Sequence, residues 1–246
     1  MDFEPWLIAI KKISSRYFIL AGVAFAVFYI LFPKVFQKIK IQKVFPKYLH
    51  YYRDIFFSII SMLIFATSAY ICFGLLKLYN NINYGTIDNY LLYALSFVWM
   101  FFLHDTYFYW IHRLMHHPTF FKSVHLIHHK STNPSPWTAY AFHPLEAVLE
   151  SGIVPLVCFT VPVHQSAFLI FMLFQIVYNV YGHLGYELYP KGFNKTAIGK
   201  WINTGTAHNQ HHKLFKGNYG LYTLIWDRWM GTVREDYDEV YEDVRN

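Results

Sequence analysis

The sequence predicts an all-α fold, a polytopic membrane helix bundle carrying a histidine-rich cap. Three observations predict it. The 246 residues are 55% hydrophobic and 21% aromatic, and only 15% are charged, against roughly 25% charge in an ordinary soluble domain. The apolar residues gather in runs that approach the length of a bilayer span. Three histidine clusters follow such runs: His112-Arg-Leu-Met-His116, His125-Leu-Ile-His128-His129 and His208-Asn-Gln-His211-His212. No Gly/Ser/Pro-rich linker, fixed-period repeat or low-complexity tract divides the chain, so residues 1–246 read as a single domain.

The first apolar run, 17–32, ends at Pro33 and is near the minimum for a span. No small-residue cleavage site follows it, so it reads as an uncleaved anchor. The second run is 55–78 and the third 91–111. The stretch 145–182 is apolar on both sides of Val161-Pro-Val-His164-Gln165. It reads as two short helices folded into a hairpin that crosses the bilayer or dips into it, with the polar turn as its tip. The histidine-rich cap is then 112–144 together with 183–233.

Loop charge orients these spans. Residues 33–54 carry Lys34, Lys38, Lys40, Lys43, Lys47 and Arg53 against Asp54 alone, and residues 79–90 carry no Lys or Arg. By the positive-inside rule the first loop is cytoplasmic, and all three histidine clusters are expected on that face. Tyr48, Tyr51, Tyr52, Tyr107, Tyr109 and Trp110 sit at the expected interfaces, as an aromatic belt would. Lys34 to Lys47, basic with apolar interruptions, is expected along the inner leaflet. The acidic tail from Arg234 reads as a solvated segment.

Several classes are disfavoured. The formal charge of +6 is what cationic cytoplasmic loops produce, and no nucleic-acid recognition motif accompanies it. Neither GxGxxG nor GxxxxGK[ST] occurs, so no nucleotide-binding loop is visible. Cys72 and Cys158 lie in apolar runs and read as core residues. They are too few for an iron–sulfur cluster or a disulfide framework.

The clusters carry the chemistry. Residues three or four apart share a helix face, so each cluster can aim two or three imidazoles at one point. Eight imidazoles exceed the four ligands of one tetrahedral zinc site, which makes two metals the economical reading. Imidazole suits Zn, Cu, Fe and Ni. Iron fits best, because nitrogen ligands spread over two metals leave positions open for dioxygen. The HExxH signature of a zinc hydrolase is absent.

The residues also carry a resemblance. His104-Asp105 runs through His112-Arg113 to His116, followed by the second cluster, Pro134-Ser-Pro-Trp137 and Ala141-Phe-His143-Pro-Leu-Glu146. Then come His183-Leu-Gly185, the third cluster, Asn218-Tyr-Gly220, Trp226-Asp227-Arg228 and Gly231-Thr232. In order and spacing this resembles the fatty acid hydroxylase/sterol desaturase superfamily across about residues 90–232. Pro-Ser-Pro-Trp, Phe-His-Pro and Trp-Asp-Arg most resemble its sterol C-5 desaturase branch. The first 90 residues match only as generic spans.

The resemblance implies a non-haem di-iron enzyme with O2 as co-substrate and no bound organic cofactor. It would hydroxylate or desaturate a C–H position of a sterol-like, fatty acyl or other isoprenoid lipid. The implied ligands are His112, His116, His125, His128, His129, His208, His211 and His212, with His183 completing the set. His104 and His143 are further candidates, and Asn179 could hold a water at an iron. Glu187 is a similar outside candidate. Asp105 shares a face with His112 and could take its ring N–H. His117 points away from the first pair, and His50 and His164 are isolated.

Electrons would come from a separate ferredoxin, cytochrome or reductase. Arg113, Lys122, Lys130 and Lys213 could dock an acidic donor, although solvated positive-inside charge also accounts for them. Two rivals stay open: a histidine-rich membrane metal transporter and a zinc-binding protein. A transporter needs polar ligands deep within its spans. Here the histidine clusters sit at span ends, and no Asp or Glu lies within 55–78 or 91–103.

Overall fold

The computed structural model describes residues 3–76, 82–83, 85–160 and 162–245. Among them, four helices are long and apolar enough to cross a membrane: α1 (Glu4–Leu31), α2 (Tyr48–Leu75), α3 (Tyr90–Met115) and, later in the chain, Gln165–Gly182. Helices suit such sequences because lipid offers no partners for backbone N–H and C=O groups. Between α3 and Gln165 lie α4 (Pro144–Ser151) and α5 (Ile153–Thr160). Gln165–Gly182 is therefore α6, followed by α7 (Gly205–Leu214) and α8 (Tyr237–Arg245). The fold is all-α; the only paired strands among the described residues are two residues each, Ile82–Asn83 parallel to Val163–His164. This pair ties the loop before α3 to the hairpin tip.

The flanks of the bundle stay apolar. Ile19, Val23, Ile30, Leu91 and Leu95 are all exposed. In water so many exposed large apolar side chains would be a liability, whereas in a bilayer they are the surface lipid chains cover.

The helices extend beyond the apolar runs. α1 begins at Glu4 and includes Lys11, Lys12 and Arg16, because these residues favour helix and the apolar stretch only marks its most hydrophobic part. α2 begins seven residues before Ile55, and the expected end of that run at Leu78 lies outside the described residues. Asn89 starts α3, its side chain accepting the Leu92 N–H at 3.0 Å. Gly152 separates α4 from α5, and a Cβ there would lie 2.3 Å from the Tyr107 hydroxyl. At about 1.5 Å per residue, eight-residue α5 is only about 12 Å long and cannot span alone. In the hairpin, only α6 has the length.

Two interactions pin the cap to the bundle. Asp54 is buried in α2 and accepts from Thr138 Oγ1 at 2.7 Å, Ser131 Oγ at 2.8 Å and Arg53 at 2.9 Å. It holds both ends of the segment that follows the second histidine cluster. Asp54→Ala leaves the buried Thr138 and Ser131 hydroxyls without their acceptor. The expected loss is about 3 kcal/mol, read as a lowered thermal midpoint of the full chain in detergent.

Lys40 corrects an expectation. Expected with the other lysines of Lys34 to Lys47 along the inner leaflet, it is instead 0% exposed, with its ammonium 4.8 Å from the Phe45 ring, 5.0 Å from Tyr186 and 5.4 Å from Tyr29. Burial pushes its pKa down to about 8. The backbone on either side pairs with the segment after α6, Ile41 N–H to Gly185 O and Glu187 N–H to Ile39 O. The aromatic faces supply the attraction that water would otherwise give the cation.

Candidate metal centre

Each histidine box sits on a helical turn at the same end of the bundle. His112 and His116 close α3. Pro118 restarts the chain, and a π turn over Phe121–His125 leads into Leu126–His129. α7 carries the third box; the Thr204 hydroxyl accepts the Ala207 N–H at its start. There Glu187 accepts the Thr206 N–H at 2.8 Å, placing a carboxyl group where the helix dipole favours negative charge. His183 follows α6 as its terminal cap, and Tyr29 Oη donates to the next carbonyl, Leu184 O, at 2.7 Å.

The rings form two groups. His112, His116, His125, His129 and His211 make one, and His128, His183, His208 and His212 the other; within each, the candidate ligand atoms lie within 4.8 Å of one another. Each HxxHH box is therefore divided between the groups. The expectation that one cluster converges on one point is corrected here, and helix geometry gives the reason. Adjacent residues point about 100° apart, while i and i+4 differ by only about 40°. His125 and His129 thus face one group and His128 the other. His208 and His212 likewise face one group and His211 the other.

The ring nitrogens indicate what such groups could hold. His112, His183, His211 and His212 each direct Nδ1 at a backbone oxygen, of Tyr219, Asn179, Gly217 and Ser131 respectively, at 2.8, 2.8, 2.8 and 3.1 Å. A carbonyl only accepts, so Nδ1 carries the proton and Nε2 is bare. Yet His183 Nε2 lies 3.0 Å from His212 Nε2, with no proton left to join them. His112 Nε2 and His125 Nε2 are also 3.0 Å apart, and His125 Nδ1 pairs with Glu146 Oε1 at 2.7 Å. Facing lone pairs at this separation need a cation to bind them. His128 Nδ1 and both nitrogens of His129 are buried without a protein partner. The donor set fits two imidazole-bound metal ions.

Burial, reinforced by neighbouring rings, holds His125, His128, His129, His208 and His212 well below the ordinary histidine pKa. His183 is pushed down to about 4, mainly by burial. Neutral rings are the form that binds metal. They also set a pH dependence. A depressed folded-state pKa contributes full stability above the unfolded value of about 6.5 and loses it as pH falls. For His183 the window runs from about 6.5 to about 4. The metal-free chain is expected to lose about 1.4 kcal/mol per pH unit for each such ring in that window, measured as a falling thermal midpoint.

The remaining candidates lie elsewhere. His104 stands outside both groups, its Nδ1 2.9 Å from the Tyr222 hydroxyl. His143 starts α4, accepting the Leu145 N–H. Asn179 donates its amide to Ala139 O at 2.8 Å, and Glu187 serves α7. Asp105 does not take the His112 N–H; it accepts the backbone N–H groups of Tyr222 and Thr223 at 2.9 and 3.1 Å. His164 starts α6 and reaches Gly85 O through Nε2. His117 accepts the Thr119 N–H.

Glu146 and Asp227 position the site and were not singled out for that from the sequence. Asp227 accepts from Tyr219 N and Gly220 N, both at 2.8 Å, shaping the loop whose Tyr219 carbonyl holds His112. Both acids fall inside the family-like stretches, which was the available signal. Their partners, 21 residues before Glu146 and seven and eight before Asp227, have no local sequence signature.

A bundle of membrane-length helices with nine buried or half-buried histidines in two groups at one end defines a polyhistidine integral membrane protein. The chain belongs to the fatty acid hydroxylase family, whose model matches residues 97–232. It is 33% identical over 168 residues to a Delta(7)-sterol 5(6)-desaturase of Aspergillus fumigatus, covering 68% of this chain and 45% of that protein. It is 33% identical over 162 residues to the lathosterol oxidase of Rattus norvegicus, covering 65% and 52%. The human lathosterol oxidase is 30% identical over 141 residues, covering 57% and 46%. The resemblance to the sterol desaturase branch is borne out by these relatives. The chain spans about half the length of the curated relatives it matches, or less. No solved structure matches it.

Proposed function

We propose that this protein is a membrane di-iron oxygenase that uses O2 and two external electrons to hydroxylate or desaturate a C–H position of a lipid. The observation that carries the reading is the pair of histidine groups whose bare Nε2 atoms face one another. His112, His116, His125, His129 and His211 would hold one iron, and His128, His183, His208 and His212 the other. Iron held there supplies the oxidation of an unactivated C–H bond by dioxygen, with two electrons and two protons completing the reduction to water.

The chain's own residues bind, orient and exclude. Four backbone carbonyls and Glu146 fix ring orientation, as outer partners of metal-bound histidine do. Burial keeps water from the rings. Phe108, with its ring 4.9 Å from His112, and Phe142, 5.0 Å from His128, form apolar walls beside them. Sterol-like lipids fit the relatives' activities best, with fatty acyl and other isoprenoid lipids as the wider class. Loop charge supports a cytoplasmic site. Lys122, Lys130 and Lys213 are exposed on the cap and suit docking of an acidic ferredoxin, cytochrome or reductase. Arg113 contributes less, being tied to the Tyr109 hydroxyl at 3.1 Å.

Three measurements test this. Protein made with iron in excess should hold two irons per chain; one tightly bound zinc and no iron would count against it. Lipid analysis of cells with and without the protein should reveal a missing alcohol or double bond, naming substrate and reaction together. Metal uptake by vesicles with unchanged lipids would favour transport instead.

A further inference from the structure

A cavity of about 310 Å³ lies among α1 to α6. Its far walls are mostly apolar, formed by residues such as Ile8, Phe73 and Phe168, with Gln165 the polar exception on α6. Its near wall includes Phe142, the residue that packs on His128. Helical rise places the rest. His104 is eight residues from His112, and Gln175 eight from His183, so each lies about 12 Å along its helix from the ring cluster. Glu150 is one turn, about 6 Å, beyond Glu146, which touches His125. Phe168 is seven residues further out than Gln175, about 10 Å. The cavity is thus polar toward the histidines and mainly apolar away from them.

Each polar group at the near end keeps at least one atom without a partner among the described residues. Gln175 is 9% exposed; its Oε1 accepts from Tyr140 at 3.2 Å, and its amide nitrogen donates to no described residue. His104 is 2% exposed and uses Nδ1 on Tyr222, leaving Nε2 without a partner among the described residues. The Glu150 carboxyl lines the cavity with no hydrogen bond to any described residue. A nearly buried donor or acceptor without a partner costs free energy unless a ligand supplies one.

We propose that Glu150, Gln175 and His104 form a recognition site for the hydroxyl group of a lipid that enters this cavity polar end first. The inference rests on the proposed function for its substrate and adds the lipid's orientation. A carboxyl, an amide N–H and a ring nitrogen together can accept from and donate to one hydroxyl. The apolar remainder of the lipid lies against Phe73, Phe168 and Ile8. The hydroxyl-bearing end is then the end of the lipid nearest the histidine groups. A carboxylate or phosphate head would meet Glu150. Lys12 and Arg16, on the α1 wall, would attract such a head, so anionic lipids are the competing case to measure.

The full metal-loaded chain in detergent is titrated with radiolabelled cholesterol, its 3-deoxy counterpart and stearate. Cholesterol should bind about tenfold more tightly than the deoxy sterol. Gln175→Leu and Glu150→Leu should each remove most of that preference while leaving deoxy sterol binding unchanged, which also reports an intact fold. Glu150→Gln should retain it. A sterol carrying a diazirine in its tail should cross-link near Phe73 or Phe168 and not at Phe142. Equal loss of both sterols, an unchanged preference in both Leu variants, tighter binding of stearate, or a tail cross-link at Phe142 would overturn the site. Selective hydroxyl binding without turnover of any lipid would leave this site standing and remove the proposed reaction.

Discussion

His128→Ala should cut bound iron from two equivalents toward one and lower lipid turnover by at least about a hundredfold. His128 belongs to the group of four, so its loss leaves three nitrogens, those of His183, His208 and His212. It also removes a ring that lies 3.3 Å from the His183 nitrogen through Nε2. His211→Ala is the informative comparison. His211 belongs to the group of five, which keeps four rings. Its iron loss should be smaller, although turnover still falls, because His211 Nε2 is 3.1 Å from His116 Nε2. Metal analysis of the two purified variants checks the division of the boxes directly. A fully active His128→Ala chain would contradict ligation.

Glu146→Ala should weaken iron binding by about 10–100-fold without removing any ligand. The Glu146 carboxyl is buried and is the hydrogen-bond partner of His125 Nδ1 at 2.7 Å. Without it, His125 loses both its tautomer and its orientation, and a buried ring N–H is left without an acceptor. Glu146→Gln keeps an oxygen that can accept the N–H and should recover much of the affinity. The measurement is a competition titration of iron against a chelator at fixed pH. Equal affinity in wild-type and Ala chains would mean that His125 is held by packing alone.

These expectations draw differently on sequence and structure. The membrane-length helices were visible because hydropathy is a sum over neighbours along the chain. Their ends were not. α1 continues through Lys11, Lys12 and Arg16 to Glu4, since helix formation tolerates charged residues that a hydropathy window rejects. Lys40 read as a loop charge for the same reason: nothing next to it in sequence reveals that Tyr186 closes over it. Asp105 shares a helix face with His112, but the carbonyl of Tyr219, 107 residues away, takes that ring N–H.

By itself the sequence determined an α-helical membrane protein, the residue types of its site and their spacing, because helical periodicity and hydropathy are local properties. It could not determine which ring joins which group. Neighbouring side chains on a turn diverge by about 100°, so adjacent histidines must find partners on other helices, and only the packing of α3, α6 and α7 says which. The same packing supplied the four carbonyls and the Glu146 carboxyl that orient five of the nine rings. It also brought Glu150, Gln175 and His104, from three separate helices, to one end of an apolar cavity.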